Sequence, residues 1–243
     1  GFSVGESVKT IAPVLNLASA AQVGLSESAS ITANTLRQFR LEADQAGRVT
    51  DVLLNASNAS NQSVSDLGTA LKFAGPVAQQ FGLSLEEAAA ALAILANQGI
   101  RGTLGGTGLR RVLGDLAKPT TEAQVTLAGL GLSLDDVNVR ARGFSAVATS
   151  LRQAGLTIED SFKIFGVQGA AIAEVFADFN REIPGMVDRV KELGVALEAS
   201  AARMDTSDGR AKVLTASLES ARIKFGQAIE PVTGLATAIA TDF

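Results

Sequence analysis

The chain has 243 residues, 47% of them hydrophobic and 19% charged, with 21 Lys or Arg against 25 Asp or Glu and a formal net charge of −4. That is long and apolar enough to bury a core, and the mild acidic excess argues against general nucleic-acid binding or a polybasic membrane anchor. The absence of His and Cys excludes disulfides, thiol nucleophiles, zinc–thiolate sites, iron–sulfur clusters and any serine–histidine triad, leaving Asp, Glu, Lys, Arg, Ser and Thr as the catalytic vocabulary.

Alanine is abundant and β-branched residues rarely alternate with polar ones, so the chain reads as all-α. The chain starts at Gly1 without Met or a signal-peptide pattern, the expectation for a piece of a larger protein. Residues 1–46 read as one or two amphipathic helices. Residues 47–183 hold the densest alternation of short helices and glycine turns. Within them Val64, Leu67, Ala70, Leu71 and Ala74 share one helical face, as do Leu85, Ala88, Ala89, Leu92, Leu95 and Ala96. Ser63–Asp66, Ser84–Glu87, Ser133–Asp136 and Thr157–Asp160 place a hydroxyl at a helix N-cap and an acid three residues on. Gly75-Pro76, Gly82, Gly99, Gly102, Gly105-Gly106, Lys118-Pro119, Gly131 and Pro184-Gly185 read as stops, leaving helices of roughly 8–18 residues. Residues 184–243 form a third region of C-terminal helices. There Met204 to Gly209 is a polar break before a last amphipathic helix with Leu214, Leu218, Ala221, Phe225 and Ala228 at seam spacing. No segment reaches ~18–20 consecutive apolar residues, the length of a conventional membrane span. The architecture expected is a bundle-like helical module with amphipathic helices at both ends.

Gly-Leu-Ser recurs at Gly24, Gly82 and Gly131, and Gly-Leu-Thr at Gly155. This reads as a reused connection in which Gly ends one helix, Leu staples the corner, and Ser or Thr caps the next. Its unequal spacing gives no solenoid period.

The stretch from Gly99 to Arg111 is rich in glycine, but Gly108 is followed by Leu109-Arg110 and not by Lys-Ser/Thr, so it fails the phosphate-loop pattern. It also follows a predicted helix, Leu85–Asn97, where a dinucleotide fingerprint follows a strand. It reads as a tight helix-to-helix turn capped by Thr107. The acid pairs Glu86-Glu87, Asp135-Asp136 and Glu159-Asp160 sit in predicted first helical turns, where neighbours point apart; a glycosidase pair needs two carboxylates face to face. Residues 101–152 carry seven Lys or Arg and four acids without the aromatic platforms of a nucleic-acid surface. Phe162, Phe165, Phe176 and Phe179 read as core.

An ordered series of motifs adds to this. It runs from Phe39-Arg-Leu-Glu-Ala-Asp-Gln-Ala-Gly-Arg-Val-Thr-Asp-Val-Leu53 through Asn58 to Leu71, Gly75-Pro-Val-Ala and Phe81-Gly-Leu-Ser to Asn97-Gln-Gly-Ile100. Gly106-Thr-Gly-Leu-Arg-Arg-Val-Leu113, Pro119-Thr-Thr-Glu-Ala123, Leu130-Gly-Leu-Ser133 and Ile164-Phe-Gly166 complete it. Over about residues 35–179 the series resembles the core region of phage tail tape measure proteins; residues 1–34 and 180–243 match only as alanine-rich helix. Gly105 and Gly108 depart from the family pattern, which commonly has Ala and a larger residue there.

The resemblance implies a structural template in the tail-tube lumen that sets tail length and leaves ahead of the DNA. It implies tail tube and tail-end or baseplate proteins as partners, three or six copies of the chain, and transient contact with the host envelope and passing DNA. It implies no enzyme, no cofactor, no metal and no stable nucleic-acid binding. Its motif residues are turns and caps: Gly75, Pro76, Gly82, Ser84, Asn97, Gly99, Gly102, Gly106, Thr107, Pro119, Gly131, Phe165 and Gly166. The readings kept beside it are a bacterial helical scaffold and a cell-envelope-active tail module.

Overall fold

The computed structural model describes residues 4–178 and 180–204. Among them are twelve α-helices, one 3-10 turn and no strand. The chain divides into two compact units, Gly1–Ala199 and Ser200–Phe243, and the helices up to Val190 lie wholly within the first. The expected seam from Leu214 to Ala228, and Phe179, lie outside the described residues.

α5 (Leu85–Asn97) is the centre. Eleven of its thirteen residues are buried, from Leu85 and Glu86 through Ala88 to Ala96. A helix that is apolar all round must be surrounded, and alanine lets neighbours approach on every side. The neighbours are α3 (Ala46–Asn58), α4 (Val64–Gln80), α6 (Gly102–Ala117), α10 (Ile158–Asp178) and α11 (Glu182–Val190). α1 (Val4–Ala21) and α2 (Leu25–Gln38) pack on α3 and α4, linked to α3 by the 3-10 turn Ala43–Gln45. α7 (Thr121–Gly129), α8 (Val139–Arg142) and α9 (Phe144–Gln153) lie beside α6 and α10. Phe144 of α9 meets Phe176 of α10 edge to face, ring centroids 4.7 Å apart, the favoured geometry of the aromatic quadrupole. α12 (Val195–Met204) follows α11.

Several predicted breaks are continuous helix. Gly75 and Pro76 lie inside α4. Pro76 removes one amide donor, but Gly75 has no Cβ to collide with the proline ring, and Leu71, Ala74 and Ala78 hold the helix in the core. Pro184 is the third residue of α11, where the amide it lacks has no intrahelical partner anyway. Gly105, Gly106 and Thr107 lie in the first turns of α6. Thr107 is no cap: its hydroxyl donates back to Thr103 O at 2.7 Å. Ser133 and Asp136 bond each other reciprocally, yet residues 134–137 form a turn and not a helix. Gly24 does not end α1: it stands at the N-cap of α2 with φ −61, and Gln22 takes the left-handed position at φ 56. Phe162 is exposed, whereas Phe165 and Phe176 are core.

The remaining repeats share one local geometry. Gly82, Gly131 and Gly155 have φ between 75 and 83. The leucine after each donates its N–H five residues back, Leu83 to Ala78 O, Leu132 to Leu127 O and Leu156 to Leu151 O. This is the Schellman closure of a helix end, which needs a left-handed residue. Gly99 and Ile100 repeat it without the Ser.

Candidate functional site

The motif residues gather at three places in unit Gly1–Ala199. The first is where α3 turns into α4 and α5 into α6. Asn97 Oδ1 accepts from Asn61 N at 3.0 Å, and Asn97 Nδ2 donates to Ala59 O at 3.4 Å. Arg101 donates to Asn61 O at 3.1 Å. Gly99 supplies the left-handed turn that brings Arg101 back onto this loop. Two helical hairpins are thus stitched end to end by backbone groups and two side chains.

The second is the seam between α4 and α6, the most extensive helix pair. A Cβ on Gly106 would lie 2.2 Å from Ala70 O, closer than any side chain is tolerated. On the other face, a Cβ on Gly108 would lie 2.7 Å from the Ile172 side chain of α10. Each glycine costs helix propensity of roughly 0.5–1 kcal/mol against Ala; the close approach of the α4 backbone at Gly106 and of the Ile172 side chain at Gly108 offsets it. The glycine-rich stretch is therefore a two-sided packing face, not an anion cradle. Gly75 does the same for α2: a Cβ there would stand 2.7 Å from Gln38 Oε1.

The third is the start of α5. Gly82 closes α4, and Ser84 caps α5 by accepting from Glu87 N at 3.2 Å while Glu87 accepts from Ser84 N at 2.8 Å. Beside it the buried Glu86 takes a two-pronged bond from Arg48 of α3, 2.6 Å from Nε and 2.9 Å from Nη2. Burial pushes the Glu86 carboxyl up; the Arg48 fork, with the Ser84 hydroxyl, outweighs it and holds the group below its ordinary value.

Pro119 and Gly131 flank α7. Thr120 caps it, accepting from Ala123 N at 3.1 Å. Pro119 also lines a cleft of about 240 Å³ with Phe81, Leu113, Leu116, Leu134 and Val139. Phe165 is wholly buried beside Gly166, which breaks α10 with φ 63 and ψ 178.

In the pairs Glu86-Glu87 and Glu159-Asp160 each carboxylate has its own partner, and in Asp135-Asp136 the second is engaged. Glu86 pairs with Arg48 and Glu87 caps α5. Asp136 bonds Ser133 and Arg142, which hold it below its ordinary value. Glu159 pairs with Lys163 at 2.7 Å, while Asp160 bonds Thr157. None presents two carboxylates to a common substrate, and among the described residues no group of three or more acids is placed to hold a metal. Among them, too, no helix is long and apolar enough to cross a membrane.

Asp51 lies within the Phe39–Leu53 motif and Asn55 just beyond it, neither with a role legible from sequence. They lie one turn apart on α3, both buried. Asp51 accepts from Gly194 N at 2.8 Å and Ala196 N at 2.9 Å; Asn55 donates to Glu192 O at 2.8 Å. Together they fix the turn from α11 into α12. The sequence signal is that Asp51 interrupts, and Asn55 follows, the buried stretch Val49 to Leu54.

Capped helices and glycine-sided seams define an all-α helical module. The chain belongs to the phage-related minor tail protein family, whose model matches residues 1–176. It is 33% identical over 239 residues, 95% of its length, to a tape measure protein of Pneumococcus phage Dp-1. It is 33% identical over 132 residues, 54% of its length, to a probable tape measure protein of Escherichia phage P2. The family match includes residues 1–34, which the motif series did not reach. The chain spans 21% and 16% of the lengths of these two relatives. No solved structure matches it.

Proposed function

We propose that this chain is a folded module of a tape measure protein, the template inside a phage tail tube that sets tail length and leaves ahead of the DNA. The observation that carries the reading is the similarity to a tape measure protein along 95% of the chain. Its role is structural and without a catalytic step.

The fold refines that role. A ruler whose length scales with residue number is a continuous helix rising about 1.5 Å per residue. Among the described residues the longest unbroken helix is the 18-residue α1, the 21-residue α10 breaks at Gly166, and the helices turn back around α5. Gly1–Ala199 is therefore a module that travels with the ruler and is not itself the measuring element. Its partners are tail tube proteins, tail-end or baseplate proteins and further copies of the chain, three or six in number. Its place is the tail lumen, with transient contact to host envelope and DNA at ejection and no stable nucleic-acid binding. Residues 47–183 are the core of this module, with 1–46 and 184–243 flanking it.

Peptide mass spectrometry on purified particles, before and after triggered DNA release, tests the placement. Peptides from residues 47–183 are expected in full particles and absent after release. Absence from full particles overturns the reading. In-frame removal of residues 1–199 from the longer protein tests the division of labour. As a continuous helix those residues would span roughly 300 Å, and tails shortened by that amount would make this unit part of the ruler.

A further inference from the structure

Ile158, Phe162, Phe165, Gly169, Ile172 and Phe176 step by four, three, four, three and four. That is a coiled-coil seam, and it runs through Gly166 without a change of phase. The structure does not use it as one. Phe165, Ile172 and Phe176 are buried, while Ile158 is 64% and Phe162 47% exposed.

The reason is a sharp fold-back. The Ser161 hydroxyl donates to the Glu174 carboxylate, thirteen residues on. On a straight helix those positions lie about 20 Å apart, beyond the reach of the two side chains. The arms 158–165 and 167–178 therefore close on each other at Gly166. Its φ of 63 with ψ of 178 is a backbone region open essentially to glycine alone. Gly169 answers to the same bend. A Cβ there would lie 2.7 Å from Phe165 Cβ, whereas residues four apart on a regular helix keep their Cβ atoms about 5–6 Å apart. The hairpin requires both glycines, and a straight helix is weakened by both.

We propose that α10 is a two-state element: a hairpin held by Gly166, Gly169 and the Ser161–Glu174 bond, and a straight 21-residue helix along which the Ile158–Phe176 seam is unbroken. The hairpin is the ground state of the isolated chain, because it keeps Ser161 and Phe165 buried. Anything that favours the continuous seam draws on the other state. This stands on the geometry of α10 and not on the proposed role in the tail.

The chain has no cysteine, so spin labels go where cysteines are placed. Glu159→Cys and Ala171→Cys are exposed positions, one on each arm. A straight helix sets their Cα atoms about 18 Å apart, and folding the arms back at Gly166 brings them closer than that. Dipolar broadening in the full 243-residue chain is expected to be strong. Adding Gly166→Ala and Gly169→Ala is expected to raise the ratio of separated to close pairs at least tenfold, with helicity by circular dichroism retained. At Gly166 the new methyl meets only the end of Arg111, Nη2 at 3.3 Å, so backbone strain decides the effect there. Close pairs persisting at wild-type level overturn the proposal; so does loss of broadening together with helicity, which is unfolding. Ser161→Ala with native glycines is expected to raise the separated fraction severalfold, and an unchanged fraction overturns the role of that bond.

Discussion

Asp51 and Gly194 are 143 residues apart and joined by a 2.8 Å hydrogen bond from the Gly194 N–H to Asp51 Oδ2. The other carboxylate oxygen takes the Ala196 N–H at 2.9 Å. A buried carboxylate on α3 thus caps the start of α12 from outside, supplying the acceptor that no residue of the turn itself provides. Replacing Asp51 by Ala leaves two amides without their acceptor. Bonds to charged groups contribute about 1.5–3 kcal/mol each and are not additive, so Asp51→Ala is expected to cost about 3 kcal/mol in urea unfolding. Asp51→Asn, which keeps one acceptor, is expected to cost less. Equal, negligible losses for both would show that the turn is held without this cap.

The Arg48–Glu86 pair predicts an acid response. Its carboxyl lies below the ordinary value of the unfolded chain, so the contribution is complete above that value, near 4.3, and is lost as pH falls through the lower folded value. Arg48→Met removes the fork and leaves burial, which pushes the carboxyl up. The variant is expected to lose about 2 kcal/mol at pH 7, discounted for the solvent exposure of Arg48, and to recover part of it on acidification. Asp115, raised by burial against the pull of Arg111, contributes with the opposite sign in both chains and cancels in the comparison. Melting temperatures at pH 7 and pH 4 for both proteins measure the difference.

Two glycines of α6 separate close approach from propensity. Gly106→Ala places a methyl 2.2 Å from Ala70 O, so α4 and α6 must move apart; the expected cost is about 3 kcal/mol or more, at the level of other overpacked cores. Gly114→Ala meets nothing within 4 Å and is expected to stabilise by about 0.5–1 kcal/mol. Denaturant midpoints of the two variants should move in opposite directions.

Pro76 is exposed inside α4. Pro76→Ala restores the amide that can bond to Lys72 O and is expected to stabilise by about 1–3 kcal/mol. A lower melting temperature would show that the ring itself supports the packing around Gly75.

Much of the fold was legible because its signals are local. Ser63 and Ser84 cap α4 and α5 with the acids three residues on, since a capping box involves only neighbours along the chain. Gly82, Gly131 and Gly155 end helices for the same reason. The readings that failed concern residues with two uses. Glycine and proline break an isolated helix, yet Gly75-Pro76 and Gly105-Gly106 continue theirs because the flanking apolar residues of α4 and α6 are held in the core, and at Gly106 the approach of Ala70 O leaves room for no Cβ. The candidate site divides likewise: Ser84 was visible as a cap, whereas the partners Asn97 found in Asn61 and Ala59 depend on α3 and α5 ending side by side.

By itself the sequence determined the helical class, the positions of most caps and Schellman turns, and the resemblance to tape measure proteins, because periodicity, capping and motif order are properties of residues near one another. Only the tertiary structure decided that Asp51 caps a turn 143 residues away, that the glycine-rich stretch is a helix face, and that an unbroken heptad folds back at Gly166. Each of those depends on which helices touch, and contact between distant segments is set by the packing of the whole core.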